Sequence, residues 1–539
     1  MSTDDATQGR VLAPAPGSGQ GRGTGAARPR PSPGRVAVLL AVLGLDLLVL
    51  SALPKIFGDG SWFLGGAVLL CVVGLTVAVV VPGLVALRWL SPGLVLLVLF
   101  TLAPMVYTGY VAFTNYSSDH LLTKQQAVRS LAQDIYLPPD APTYQWKAYA
   151  DPAGTLALYL VPKEGPARFA VAGGQVREVT PPTPGSTEGL PATLDGFTQL
   201  STVEAVSKLS VLSQTTFGSD GDTFKVTSLD RAGGYQSKYA YDAGSDTVTD
   251  RATGTVYRPV EGTFTADDGK QLAPSFQAFN GLANVKNLVT TPSIAGPVLK
   301  IFVWTIVYAV SVVAIQFVVG LVIALALNDS SIGTRLAKAI RSVLLLPYVI
   351  PAYLSILIWA AMFNQQLGVL PRWVEALTGL DPGWVGSPNG ARLIAIVVTL
   401  WLGFPYFLLI ISGALQAIPA DLLEAAQVDG GTAVQRFREI VFPMLLRMVG
   451  PLTVLAFAYN FNNFLVVYIL NNGGPAMPDA TVPAGSSDLL ISFTYKLGFS
   501  FGSSQYGLAA VITMVIFAIL IPVVVSQFRY YAVWQEEDR

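Results

Sequence analysis

VLKIFVWTIVYAVSVVAIQFVVGLVIALAL, residues Val298–Leu327, decides the fold class. A helix needs about 20 largely apolar residues to cross a hydrocarbon core of ~30 Å, and this run exceeds that. Downstream lie Val343–Phe363, Leu393–Leu415, Gly450–Leu470 and Tyr506–Val525. Upstream, beyond a long polar interval, lie Val36–Leu53, Trp62–Val81 and Leu90–Phe113. The pattern predicts a mainly α membrane protein with eight transmembrane helices: three, a large insertion, then five. The first run is short and carries Asp46. A carboxylate at a helix contact or water defect is the plain reading, since a proton relay would want a second intramembrane acid nearby. The first run is not a cleavable signal, because a long Pro/Gly/Ala-rich tail precedes it and no small-residue cleavage pattern follows at Ala52–Ile56.

Composition points the same way. Of 539 residues, 52% are hydrophobic and 12% charged, where soluble domains carry roughly a quarter charged. Mean hydropathy is +0.53. Lys+Arg 33 against Asp+Glu 34 leaves no bulk basic field for nucleic acid. One cysteine, Cys71, excludes an intrachain disulfide or Cys-rich cluster. One histidine, His120, excludes a two-histidine metal site and leaves no spare base for a hydrolase triad. The chain reads as no enzyme in its own right.

Positive charge in short loops sets orientation. One side collects Arg10, Arg22, Arg28, Arg30, Arg35, Arg88, Arg335, Lys338, Arg341, Arg436, Arg438, Arg447 and Arg529. The other holds Lys55, the balanced set Arg372, Glu375, Asp381 and Arg392, and then Asp479, Asp488 and Lys496. Both termini are therefore expected in the cytoplasm. The predicted organisation is a disordered cytoplasmic tail (1–34), spans one to three (35–114), an extracytoplasmic domain (115–286) and a core of spans four to eight (287–539).

The insertion alternates apolar and polar residues between turn signals, as in Leu156–Val161, Arg168–Val171, Tyr239–Tyr241, Thr247–Thr249 and Thr255–Tyr257. Helices are expected over Val128–Tyr136 and Thr202–Leu212. It reads as a mostly β domain on stalks, without a catalytic cluster, and protein docking is its expected role.

Inside the spans the informative residues are amides and aromatics at mid-depth, where lipid offers no hydrogen-bond partner. The seventh span contains LAFAYNFNNFLVVYIL, Leu455–Leu470. Helical spacing puts Tyr459, Asn460 and Asn463 on one face and turns Asn462 away, as packing glue between helices. The sixth holds WLGFPY, Trp401–Tyr406, in which Gly403 and Pro405 weaken the helix ladder beside Tyr406. The fifth begins LLLPYVIPAY, with Pro347 and Pro351 around Tyr348. Rings, amides and kinked backbone without acid or base suit a neutral polyol: rings cover C–H faces and amides bond hydroxyls.

Between spans six and seven lies IPADLLEAAQVDGGTAVQRFREIVFP, Ile418–Pro443. Asp421 is a candidate helix cap, Asp429-Gly430-Gly431 a break, and a second basic helix is expected to run to Pro443. Glu424-Ala425-Ala426, Asp429-Gly430, Phe437, Ile440 and Pro443 resemble the EAA loop of binding-protein-dependent ABC importer permeases, with Gly431 where that family usually has Ala. The resemblance narrows to the maltose/maltodextrin permeases through Val111–Leu122, Ile301–Thr305, Phe404–Tyr406, Phe461–Phe464, Asn472–Pro475 and Pro483–Gly485. It spans nearly all of the chain beyond the tail.

The resemblance implies sugar contacts at Tyr348, Gly403, Tyr406, Tyr459, Asn460 and Asn463. Tyr459 replaces the family's Phe, Ala352 its Ser and Thr399 its Asn, which leaves maltose, maltodextrins and trehalose open as the sugar. It also implies ATPase coupling through Glu424, Ala425, Ala426, Asp429 and Gly430. Implied partners are a MalG-like permease subunit, a dimer of MalK-like ATPases and an extracytoplasmic sugar-binding protein. No cofactor is expected in this chain, which lacks G-x-x-x-x-G-K-[ST]; ATP and Mg would be bound by the partner ATPases. A symporter would want coupling acids in two related halves, and a membrane sensor would want a cytoplasmic output domain.

Overall fold

A computed structural model describes residues 33–58, 61–81, 83–139, 141–183, 185–219, 223–328, 332–379, 383–499 and 504–537. The expected tail falls outside the described residues up to residue 32, as do Asp381 and the side chain of Arg529. The chain forms two units, divided after Pro104.

The first unit holds α1 (Pro33–Gly58), α2 (Trp62–Val80) and α3 (Val85–Leu97), the last continued by a π turn over Val98–Leu102. Asp46 is buried against α2, where Thr76 Oγ1 donates to its Oδ2 at 2.6 Å. This is the helix-contact reading of that carboxylate. Arg88 ties α3 back to the Ala78 and Val79 carbonyls, which α2 leaves open at its C-terminal end.

In the second unit, α4 (Ala103–Val111) ends the third span and leads to α5 (Lys124–Gln133), which Thr123 and Gln126 cap reciprocally. The β domain follows as β1 (Ile135–Tyr136), β2 (Thr143–Ala150), β3 (Leu156–Pro162), β4 (Ala167–Val171), β5 (Val176–Val179), β6 (Thr193–Leu194) and β7 (Phe197–Gln199). Two short helices, α6 (Thr202–Ser207) and α7 (Leu209–Gln214), precede β8 (Thr223–Val226) and β9 (Ala232–Ser237). These strands form an antiparallel sheet of order β1-β9-β2-β3-β4-β5, with β6, β7 and β8 attached at its margins. A separate meander runs β10 (Tyr239–Asp242), β11 (Thr247–Asp250), β12 (Val256–Val260), β13 (Thr263–Ala266) and β14 (Gln271–Leu272). β3 is buried throughout rather than half-exposed. Leu158 and Leu160 pack with Leu212, Phe217 and Phe224 on one face, and Ala157, Tyr159 and Val161 pack with Tyr149 and Phe169 on the other. Two expected helices differ: the first ends at Gln133, leaving Ile135–Tyr136 to pair with β9, and the second breaks at Lys208.

The stalks are stapled together. Asn115 exchanges hydrogen bonds with the backbone of Ala278, and Asn284 Nδ2 donates to the Thr114 carbonyl at 2.7 Å.

The core comprises α8 (Ala283–Thr290), α9 (Pro292–Leu327), α10 (Thr334–Leu344), α11 (Leu346–Val349), α12 (Ala352–Met362), α13 (Val369–Thr378) and α14 (Pro388–Ala417). Then come α15 (Ala420–Val428), α16 (Ala433–Arg436), a π turn over Phe437–Val441, α17 (Phe442–Phe461), α18 (Phe464–Asn471), α19 (Leu490–Phe499) and α20 (Tyr506–Glu537). α9 and α14 approach closely because Gly320 presents no Cβ; one there would sit 2.7 Å from Phe407 Cβ.

Among the described residues, seven helices are long and apolar enough to cross a membrane. The eighth expected, Val343–Phe363, is not continuous. Ile350 is extended (ψ 132°) ahead of Pro351, as sterics before proline demand, so the apolar stretch divides into α11 and α12. The seventh span also breaks, between α17 and α18, at Asn462 and Asn463. Asn463 therefore lies in a non-helical link rather than on a helical face with Tyr459, and Asn462 is exposed instead of packed between helices of this chain. In the loop before it, Pro419 occupies the cap position and Asp421 lies in the first turn without capping. The second helix does not stop at Pro443: a π turn over Phe437–Val441 directly precedes that proline, and the segment runs on into the seventh span.

Candidate functional site

α14 supplies Gly403 and Tyr406, α17 supplies Tyr459 and Asn460, and the two helix breaks supply Tyr348 and Asn463. All six line one cavity of ≈ 570 Å³. The breaks are what bring them together. A continuous fifth helix would lay backbone where Pro347–Pro351 now turns aside, and a continuous seventh would carry Asn463 round with its own turn. Among the described residues, no acidic, basic or histidine side chain lines the space.

The amides form its buried part and the rings its open part. Asn460 and Asn463 are 3% and 9% exposed, Tyr348 and Tyr459 57% and 71%. Asn460 Nδ2 is held by the Ala456 carbonyl at 2.9 Å, while its Oδ1 is buried without a hydrogen-bond partner. An unpaired buried acceptor costs about 1–3 kcal/mol.

Gln316, midway along α9, escaped the sequence reading, although it is the only amide in that apolar run. It is 3% exposed, lines the cavity, and donates from Nε2 to the Thr399 carbonyl at 2.7 Å. The Thr399 hydroxyl is committed to Tyr308 at 2.6 Å and to the Ala395 carbonyl at 2.7 Å. Gly403 has a packing reason beyond any ligand contact: a Cβ there would collide with Gln316 Nε2.

The second cluster lies at the far end of α14. Only Ile418 and Pro419 separate α14 from α15, which exposes Glu424 and Ala425 and half-buries Ala426. Asp429 ends α15, and Gly430 takes φ +83°, the left-handed region that favours glycine. Gly431 N then closes onto the Ala426 carbonyl at 2.9 Å, Thr432 and Gln435 cap α16 reciprocally, and Arg436 donates to Gln427 Oε1 at 2.7 Å. The result is a hairpin closed by local hydrogen bonds that leaves Leu422 (46%), Val428 (87%) and Val434 (74%) exposed. Its two arms continue into α14 and α17, the helices that carry Gly403, Tyr406, Tyr459 and Asn460.

Residues 316–532 match the family described as the binding-protein-dependent transport system inner membrane component. Residues 95–173 match the N-terminal region of the transmembrane subunit in PBP-dependent ABC transporters. The chain is 35% identical over 456 residues to the maltose/maltodextrin transport system permease protein MalF of Photorhabdus laumondii, covering 81% of this chain and 85% of that one. Identity to MalF of Escherichia coli K12 is 35% over 450 residues, with the same coverage. Among solved structures, a bacterial ABC transporter involved in the import of alginate matches 47% of this chain and 83% of its own at 17% identity and a TM-score of 0.41.

Proposed function

Because the chain belongs to the MalF family, the permease subunits of sugar ABC importers in the inner membrane, we propose that its ≈ 570 Å³ cavity is the sugar site and its α15–α16 hairpin the seat of the ATPase. The observation that carries the first assignment is the convergence of rings and amides on one space that no charged side chain lines among the described residues. A sugar there lays its C–H faces against Tyr348, Tyr406 and Tyr459 and bonds its hydroxyls along the amide side of the cavity at Asn460 and Asn463. A charged solute would lose hydration without gaining a counter-charge. Maltose, short maltodextrins and trehalose all fit this chemistry.

Both termini and the hairpin lie in the cytoplasm, following the positive loops. A MalK-like ATPase dimer, which binds ATP and Mg, closes on the hairpin through its exposed apolar side chains and a basic residue opposite Glu424. A MalG-like permease supplies the other half of the pathway. The hairpin then moves α14 and α17 together, because only Ile418 and Pro419 separate it from α14 and its other arm runs on into α17, and the site alternates between the two sides. The domain at 115–286 holds the sugar-loaded binding protein over the opening.

Uptake of a labelled disaccharide panel by the reconstituted complex tests the reading. Asn460→Leu should lower uptake by about tenfold, through loss of an amide from the cavity wall and apolar obstruction, with ATPase assembly intact. Undiminished uptake would refute the cavity as the site.

A further inference from the structure

A second hollow, a groove of ≈ 710 Å³, lies between α9 and the first turns of α14, away from the sugar cavity. Its chemistry is the reverse of the cavity's. Lys300 and Arg392 both line it, and among the described residues no carboxylate does. Lys300 is exposed and makes no ion pair among the described residues. Arg392 is half-buried, stacks over the Trp304 ring at 4.9 Å, and donates from Nε to the Ser486 carbonyl at 2.9 Å.

The depth of these cations follows from their neighbours. Ser486 and Ser487 belong to the polar loop joining α18 to α19, outside the spans, and they bond Arg392 and Trp304 Nε1 respectively. Lys300 stands one turn before Trp304 on α9. The two charges and the indole therefore sit at the polar boundary of the bilayer on the side of the inserted domain, the level at which Trp anchors to headgroups. Asn389, in the first turn of α14, lines the same upper end, where that helix adds the partial positive charge of its N-terminus. Below, Val303 and Val307 (50% and 47% exposed) continue the groove into the hydrocarbon depth.

We infer that this groove binds an anionic phospholipid of the extracytoplasmic leaflet, its phosphate between Lys300 and Arg392 and an acyl chain along Val303 and Val307. Two cations without an acid complement a phosphodiester, and the aliphatic floor complements its chain. A protein helix fits less well, because interface cores are depleted of lysine and this groove would bury two like charges unpaired. The inference needs the helices to span a bilayer and is independent of which sugar passes.

The test is native mass spectrometry of the complete transporter offered phosphatidylglycerol or phosphatidylcholine of matched chains. The wild type should retain phosphatidylglycerol preferentially, and Lys300→Gln should weaken that retention about fivefold, as loss of one interfacial cation predicts. Val307→Trp, which fills the floor without touching either charge, should weaken it as well and guards against a headgroup-only effect. Equal retention of the two lipids by the wild type would overturn the inference, as would unchanged retention by Lys300→Gln. So would a disulfide crosslink from a cysteine at position 307 to the partner permease, which would make the groove a subunit interface. Sugar uptake measured on the same preparations reports separately on the cavity.

Discussion

At the scale of single residues, the cavity is shaped by what Gly403 lacks. Gln316 reaches across from α9 to the Thr399 carbonyl only because no Cβ stands in its way. Gly403→Ala should therefore displace Gln316 from the cavity wall and break its bond to the Thr399 carbonyl, a loss of about 1 kcal/mol. Adding Gln316→Ala should restore the melting temperature of the complex, though not full uptake. Should the double variant stay as unstable as Gly403→Ala alone, the clearance argument fails. The same network explains Thr399. Its hydroxyl is spoken for by Tyr308 and Ala395, so the shorter side chain serves the helix contact more than the ligand. Asn460 is the opposite case, an amide with one end fixed and the other buried without a partner.

At the scale of elements, helix ends matter more than helix middles. The two interrupted spans supply Tyr348 and Asn463 to the cavity, and both interruptions arise from local chemistry. Proline imposes the first, and the second falls at successive asparagines, whose amides compete with the helix for backbone partners. The hairpin depends on a local feature of the same kind. Gly430 at φ +83° turns the chain between α15 and α16. An alanine there pays roughly 1–2 kcal/mol for the left-handed backbone. Gly430→Ala should weaken assembly with the ATPase, while Gly430→Asn, which tolerates that region, should weaken it less. Equal behaviour of the two variants would show that turn geometry is not what the ATPase reads. Glu424→Lys reverses an exposed charge on the docking face and should reduce hydrolysis stimulated by the binding protein. Normal stimulation would argue against that face as the coupling surface.

At the scale of the whole molecule, the inserted domain divides into a lobe and a base. The meander and α5 pack together through Leu131, Val248, Tyr257 and Phe264 and stand over the stapled stalks. The larger sheet leaves and returns through paired strands, Tyr136 opposite Gln236. Excising 137–235 and joining those two residues through a short glycine turn should therefore leave membrane insertion and ATPase assembly intact. Affinity for the loaded binding protein should fall by an order of magnitude or more if the lobe carries the contact, on the scale of a few lost anchors. Unchanged affinity would reduce the lobe to a spacer.

Composition and periodicity were enough for the membrane class, the large β-rich insertion and the run of spans, because each of these follows from where apolar residues lie along the chain. Side-chain chemistry at mid-depth also exposed most of the cavity before any coordinates: Tyr348, Gly403, Tyr406, Tyr459, Asn460 and Asn463 stand out as polar or helix-weakening groups in apolar runs. Sequence could not show that two of the spans are broken, that β3 is covered on both faces, or that Gln316 joins the site. Those depend on which surfaces of distant elements meet, and helical spacing describes only one helix at a time. An amide in an apolar helix reads alike whether it faces lipid, a neighbour or a cavity until the neighbour is in place; for Gln316 that neighbour is the bare backbone at Gly403.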